Sequence, residues 1–132
     1  MTRDELITAL EAAAGPDREL DAEVWLVADP VAYNRKCSFR GMVYAGTVFS
    51  AKEKRAWTKR AAAHYAPAYT ASIDAALTLV PDGDGWGIDF GPNSTFAKPD
   101  VFWWSASVGA EDAEGATPAI ALCIAALKAR PE

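Results

Sequence analysis

The chain has 132 residues and a mass of 14.1 kDa, which is enough for one domain and too little for two cores. Hydrophobic residues make up 51% of it, but 28 positions are alanine, so the larger apolar residues suffice for one modest core and exclude a disordered chain. The net charge of -5 hides an asymmetry: residues 34–60 hold eight basic residues against one acid (+7), and the other 105 hold five against seventeen (-12), which excludes a general duplex binder because the domain's own field opposes a polyanion.

Thr2-Arg3-Asp4-Glu5 is a capping box, and Leu6, Ile7 and Leu10 follow at helical spacing, so a helix is predicted over residues 3–14, stopped by Gly15-Pro16. Asp17 caps a second helix over 18–28, with Leu20, Val24 and Val27 on one face. Asp29-Pro30 reads as a break. Beyond it, residues 29–50 offer only short strand candidates, Met42-Val43-Tyr44 and Thr47-Val48-Phe49. Ser50-Ala51-Lys52-Glu53 is a second capping box, opening a basic, alanine-rich helix that ends near Tyr65. Its thin apolar stripe is Ala56, Trp57, Arg60, Ala61 and His64. A helix over 71–80 turns Ile73, Ala76, Leu77 and Val80 inward before Pro81.

After the turn cluster Pro81-Asp82-Gly83-Asp84-Gly85, Trp86, Ile88 and Phe90 alternate with Gly87 and Asp89, predicting a strand with one buried face. A second strand over 101–108 is its antiparallel neighbour, and residues 109–116 read as an acidic loop. Thr117 caps a last helix over 118–130 with Pro118 at its first position; Ile120, Cys123, Ala126 and Leu127 form its buried stripe. The expected fold is α+β, a single domain over 1–132 with a small antiparallel sheet packed with helices in a layered sandwich. Leu6, Leu10, Leu20, Val24, Ile73, Leu77, Ile88, Ile120 and Leu127 form the expected core, and Leu77→Ala should cost about 2–5 kcal/mol if buried.

Catalytic signals are weak. His64 is the single histidine; Ser72 and Asp74 are near in sequence, and a small hydrolase built on His64 is the enzymatic alternative. Asp82 and Asp84 stop short of a calcium loop, Cys37 and Cys123 lack zinc-site spacing, and Gly83-Asp84-Gly85-Trp86-Gly87 has no P-loop lysine. The residues therefore predict a non-enzyme with no catalytic residue, no metal and no cofactor. The five tryptophans stand out. Trp103 and Trp104 are consecutive on a strand and so face opposite ways; one needs a covering helix, a partner or a ligand. Aromatic rings beside cations are how proteins hold nucleobases and phosphates together.

Gly15-Pro16-Asp17-Arg18-Glu19-Leu20-Asp21-Ala22-Glu23, Pro67 to Leu77 and Ala116-Thr117-Pro118-Ala119-Ile120-Ala121-Leu122-Cys123 onward to Arg130, in that order, resemble the phage ABA sandwich domain, a family of small phage and prophage proteins. The resemblance covers roughly 40 residues. It implies a sheet layered with helices and a phage or prophage origin, and it carries no catalytic residue. Residues 34–66 depart from the family as a variable basic segment.

The expected function is that of a phage-type accessory protein, a non-enzymatic binder or inhibitor of a host component such as an anti-phage defence protein. Its expected site is Arg35, Lys36, Arg40, Lys52, Arg55, Lys59 and Arg60, with Trp57, His64, Trp103 and Trp104 beside them. The partner is a host protein with an acidic patch or a small anionic, nucleotide-like ligand held by sequestration. A minor virion or assembly protein is a further alternative, and homo-oligomerisation stays open. No sequence-specific nucleic acid and no membrane partner is expected. An acidic N-terminus without an apolar stretch and two lone cysteines predict an intracellular setting, which the phage resemblance implies to be the cytoplasm of the bacterial host.

Overall fold

Short polar side chains fix where the helices begin. Thr2 Oγ1 accepts from the Glu5 N–H, Asp17 Oδ1 from Glu19 and Leu20, Ser50 Oγ from Glu53, Ser72 Oγ from Ala75 and Thr117 Oγ1 from Ile120, all at 2.8–3.2 Å. The computed structural model describes residues 1–37, 50–93 and 98–130. They form helices α1 (Arg3–Ala12), α2 (Arg18–Ala28), α3 (Pro30–Cys37), α4 (Ala51–Tyr65) and α5 (Ile73–Leu77), strands β1 (Trp86–Asn93), β2 (Lys98–Val108) and β3 (Glu111–Gly115), and helix α6 (Pro118–Ala129). The fold is α+β, as expected. The strand candidates at 42–49 lie outside the described residues.

Two elements correct the sequence reading. Asp29-Pro30 ends α2 but also opens α3: the Asp29 carboxylate accepts from the Ala32 N–H at 3.1 Å, and Pro30 takes the first helical position, where its missing N–H costs nothing. The acidic stretch after Gly109 is strand β3, not a loop. Acidic residues are poor strand formers, yet Ala113 and Gly115 alternate with Asp112 and Glu114 and bury the small side. The sheet is antiparallel in the order β1-β2-β3, with Ile88 opposite Ala106 and Ala106 opposite Ala113.

The core is built around α6. A one-sided stripe was expected; instead every residue from Ala119 to Leu127 is buried, because β2 and β3 cover one side of the helix while α1 and α5 pack on it elsewhere. Leu6, Leu10, Val24, Ile120 and Leu127 are buried as expected, and Leu20, Leu77 and Ile88 are partly buried against them. Ile73 is a correction: it is 38% exposed. Regular α5 ends at Leu77, and the turn after it carries Leu79, 1% exposed, into the core with Ala76. Val27 on α2 is likewise exposed, and Trp25 takes the inward position. The aromatic face of β1 is a further correction. Trp86 and Phe90 are 51% and 57% exposed, because α6 lies over β2 and β3 and barely reaches the edge strand.

A buried polar node joins the three segments that carry the family resemblance. Asp21, 1% exposed on α2, accepts from the Thr70 N–H and hydroxyl through Oδ1, both at 2.7 Å. Its Oδ2 pairs with Arg18 at 2.8 Å. The Thr70 carbonyl accepts from Thr117 Oγ1, and the Cys123 thiol donates to the Tyr69 carbonyl. Burial, reinforced by the Asp21 charge, pushes the Cys123 thiol far above its ordinary pKa.

Candidate functional site

The basic helix α4 packs on α2 and α3. Arg18 holds its C-terminal end, donating to the carbonyls of Ala63, His64 and Ala66 at 2.6–3.2 Å, where a cation suits both the orphan acceptors and the helix dipole. The buried side of α4 is Ala61 and Ala62, with Thr58 partly covered. This corrects the expected stripe, of which only Ala61 is buried. Ala56, Arg60 and His64 are exposed, and Trp57 is 37% exposed, since contact with α2 and α3 turns the inward direction toward Thr58 and Ala62.

The exposed surface of α4 carries a strip of cations that starts at the rim of its contact with α2 and α3. Lys52, Arg55 and Lys59 stand at i, i+3 and i+7, with Arg60 next to Lys59, all exposed and spanning about 12 Å along the axis. Neighbouring like charges at this spacing each cost roughly 0.2–0.5 kcal/mol. Among the described residues, none of these four cations lies within 4.0 Å of a carboxylate. The one acid on α4, Glu53, is turned to the helix start, where Oε1 accepts from Ser50 N–H and hydroxyl. Arg35 and Lys36 end α3 beside this helix, exposed, and Lys36 Nζ sits 5.7 Å from the centre of the Tyr65 ring, at cation–π range.

The remaining expected site residues are elsewhere or outside the described set. Arg40 lies outside the described residues. Trp103 is placed through its backbone, opposite Gly91 in the β1–β2 ladder. Trp104 is partly buried against Phe90, ring centres 4.8 Å apart, on a sheet that packs on α6 and α1 and not on α4. The structure therefore groups Arg35, Lys36, Lys52, Arg55, Trp57, Lys59, Arg60 and His64 on α3 and α4 and places Trp104 in another layer.

Two tyrosines join the site that sequence reasoning missed. Tyr65 takes the Lys36 cation and packs edge-on to His64 at 4.8 Å. Tyr33 lines an open groove of about 490 Å³ between α2, α3 and α4. The groove has an apolar floor of Leu20, Ala22 and Ala62; Lys54, Arg55 and Lys59 form one wall, and Glu19 and Glu23 the other. Burial raises the Tyr33 pKa, with smaller contributions from Cys37 and Glu23. The Asp-Pro start of α3 was the signal that could have placed Tyr33 on a helix facing α4.

The His64 imidazole is exposed on the last turn of α4, and Ser72 Oγ is engaged as the cap of α5. No cluster of three or more histidine, cysteine or carboxylate side chains suited to a metal, and no helix long and apolar enough to cross a membrane, occurs among the described residues. Comparison with protein-family models, curated proteins and solved structures finds no match to this chain.

Proposed function

We propose that this protein is a non-enzymatic binder that docks the outer face of α4 on an acidic patch of a partner protein. The observation that carries the reading is the strip of Lys52, Arg55, Lys59 and Arg60, four exposed cations that meet no carboxylate within 4.0 Å among the described residues. Self-neutralisation is the competing explanation for the basic segment, and the lack of a carboxylate beside these four cations among the described residues supports the binding reading over it. The extent of the strip favours a protein over a small molecule: Arg55 and Lys59 line the rim of a groove, but Lys52 and Arg60 stand outside it on the convex helix surface, and a small ligand in the groove would leave them unused. The phage-type resemblance adds the expectation that the partner is a host component, such as a defence protein, which this protein inhibits.

A second reading rests on the groove between α2, α3 and α4. Lys54, Arg55 and Lys59 beside Tyr33 could hold a small anionic, nucleotide-like ligand by charge and ring contact. Glu19 and Glu23 on the opposite wall offset two of those three charges, which places this reading second.

Replacing Arg55, Lys59 and Arg60 together by alanine tests the first reading. All three are exposed, so the melting temperature stays nearly unchanged. Partner capture from bacterial lysate is lost, and capture by the wild type weakens at high salt. Mass spectrometry of material released on heat denaturation separates the readings: a bound phosphorylated small molecule supports the groove and removes the case for the protein patch.

A further inference from the structure

The two edges of the sheet are not equivalent. β3 carries Glu111, Asp112 and Glu114 in five residues and borders α1, so charge guards its outer edge in the usual manner of natural sheets. β1 carries one charge, Asp89, between Trp86 and Asn93, and among the described residues no strand pairs with its outer edge. The face it shares with Trp104 and Ala106 bears Trp86, Ile88 and Phe90, of which Trp86 and Phe90 are more than half exposed. An edge that no described strand pairs with, beside exposed aromatics, is a surface suited to strand addition.

We propose that β1 pairs antiparallel with β1 of a second copy about a twofold axis at Ile88, giving a six-stranded sheet. Charge permits a second copy at this edge and disfavours one at the edge of β3. Pairing about Ile88 sets each Asp89 opposite Gly87 of the partner and each Trp86 opposite Phe90, with Ile88 facing Ile88, so no like charges stand opposed. The equivalent pairing of β3 about Ala113 would set Asp112 against Glu114 twice, an opposition that destabilises a ladder. In the proposed dimer the two α6 helices flank the seam on one face, and Trp86 and Phe90 of both copies fill the space between them. Four half-exposed rings, each able to bury roughly 150–250 Å², supply roughly 300–500 Å². Backbone pairing and the flanking helices must add the rest of the roughly 1,000 Å² that a specific interface needs, so the dimer is a weak, concentration-dependent one.

Sedimentation velocity across a concentration series reads the assembly directly. The wild type should shift with concentration from 14.1 kDa toward twice that mass, and Trp86→Lys/Phe90→Lys should raise the dimer dissociation constant by about tenfold or more. Far-UV circular dichroism checks that the double variant keeps its fold. Ile88→Cys gives a second readout that does not depend on that variant. Its thiol meets its own copy on the axis within disulfide reach and forms a covalent dimer under mild oxidation, while Cys37 and Cys123 stay buried and Asp112→Cys on the guarded edge stays monomeric. A wild type that remains 14.1 kDa at every concentration, or Ile88→Cys and Asp112→Cys cross-linking equally, overturns the proposal.

Discussion

Asp21 is a buried carboxylate whose bonds tie α2 to the segment before α5. Its Oδ1 accepts two bonds from Thr70, from N–H and hydroxyl, at 2.7 Å each, and its Oδ2 takes Arg18 at 2.8 Å. Hydrogen bonds to a buried charged acceptor are worth roughly 1.5–3 kcal/mol each. The Arg18 side chain is 45% exposed, so its pairing adds only roughly 0–1 kcal/mol. These terms reach about 3–7 kcal/mol, and because removing one partner of a buried ion pair usually costs about 3–5 kcal/mol, the lower part of that range is expected for Asp21→Ala. Against a domain stability of roughly 5–15 kcal/mol that is a large fraction, and it lowers the melting temperature by roughly 10–20 °C. Asp21→Asn keeps an acceptor toward Thr70 and loses the charge, so it costs about 1–3 kcal/mol. Urea denaturation of the three proteins measures both differences from the shift in midpoint at unchanged slope. A loss below about 1 kcal/mol for Asp21→Ala would refute the reasoning, because the node would then be idle.

A Cβ on Gly115 would sit 2.8 Å from Ala121 N and 2.9 Å from Ile120 Cγ2, so Gly115→Ala should destabilise by about 1–3 kcal/mol in the same assay. Gly87→Ala, which meets only Ser107 Oγ at 3.4 Å, should cost less than about 1 kcal/mol. Leu79→Ala should cost about 2–5 kcal/mol and Leu77→Ala less, reversing the order the helical stripe predicted; equal losses would contradict the turn after α5. Burial raises the thiol pKa of Cys123 in the folded chain, so its contribution to stability is complete below about pH 8.5. It falls as alkaline pH removes the proton from the unfolded chain alone, and Cys123→Ala should flatten the decline of the urea midpoint between about pH 7 and about pH 10.

The caps Thr2, Asp17, Ser50 and Thr117 and the place of Pro118 were legible because caps act locally, each satisfying backbone N–H groups within three residues; in the sequence Ser72, the cap of α5, reads as inside its helix, and Asp29-Pro30 as a break alone. The strand around Trp86 was legible from alternation and the one around Trp104 from a continuous apolar run, but the exposure of Trp86 and Phe90 was not. How much of the apolar face of β1 is covered depends on how far α6 extends over the sheet, and that is a tertiary fact. The same reason hid β3, whose acids argue against a strand until β2 supplies the ladder. In the candidate site the cations of α4 were legible as charge. Tyr33 and Tyr65 were not, because their roles come from α3 packing on α4. The Asp21–Thr70 pair spans 49 positions, and nothing in local pattern joins them.

The central claim, that the cation strip of α4 is a binding surface, is tested most directly by parallel capture on immobilised wild type and Arg55→Ala/Lys59→Ala/Arg60→Ala, from the same bacterial lysate at low and high salt, with both melting temperatures recorded. The account predicts that the wild type retains an acidic protein, that salt releases it, and that the triple variant retains none of it while melting within a degree or two of the wild type, roughly. Equal retention by the two proteins, or a triple variant that unfolds, would make the strip an ordinary scaffold surface and contradict the claim.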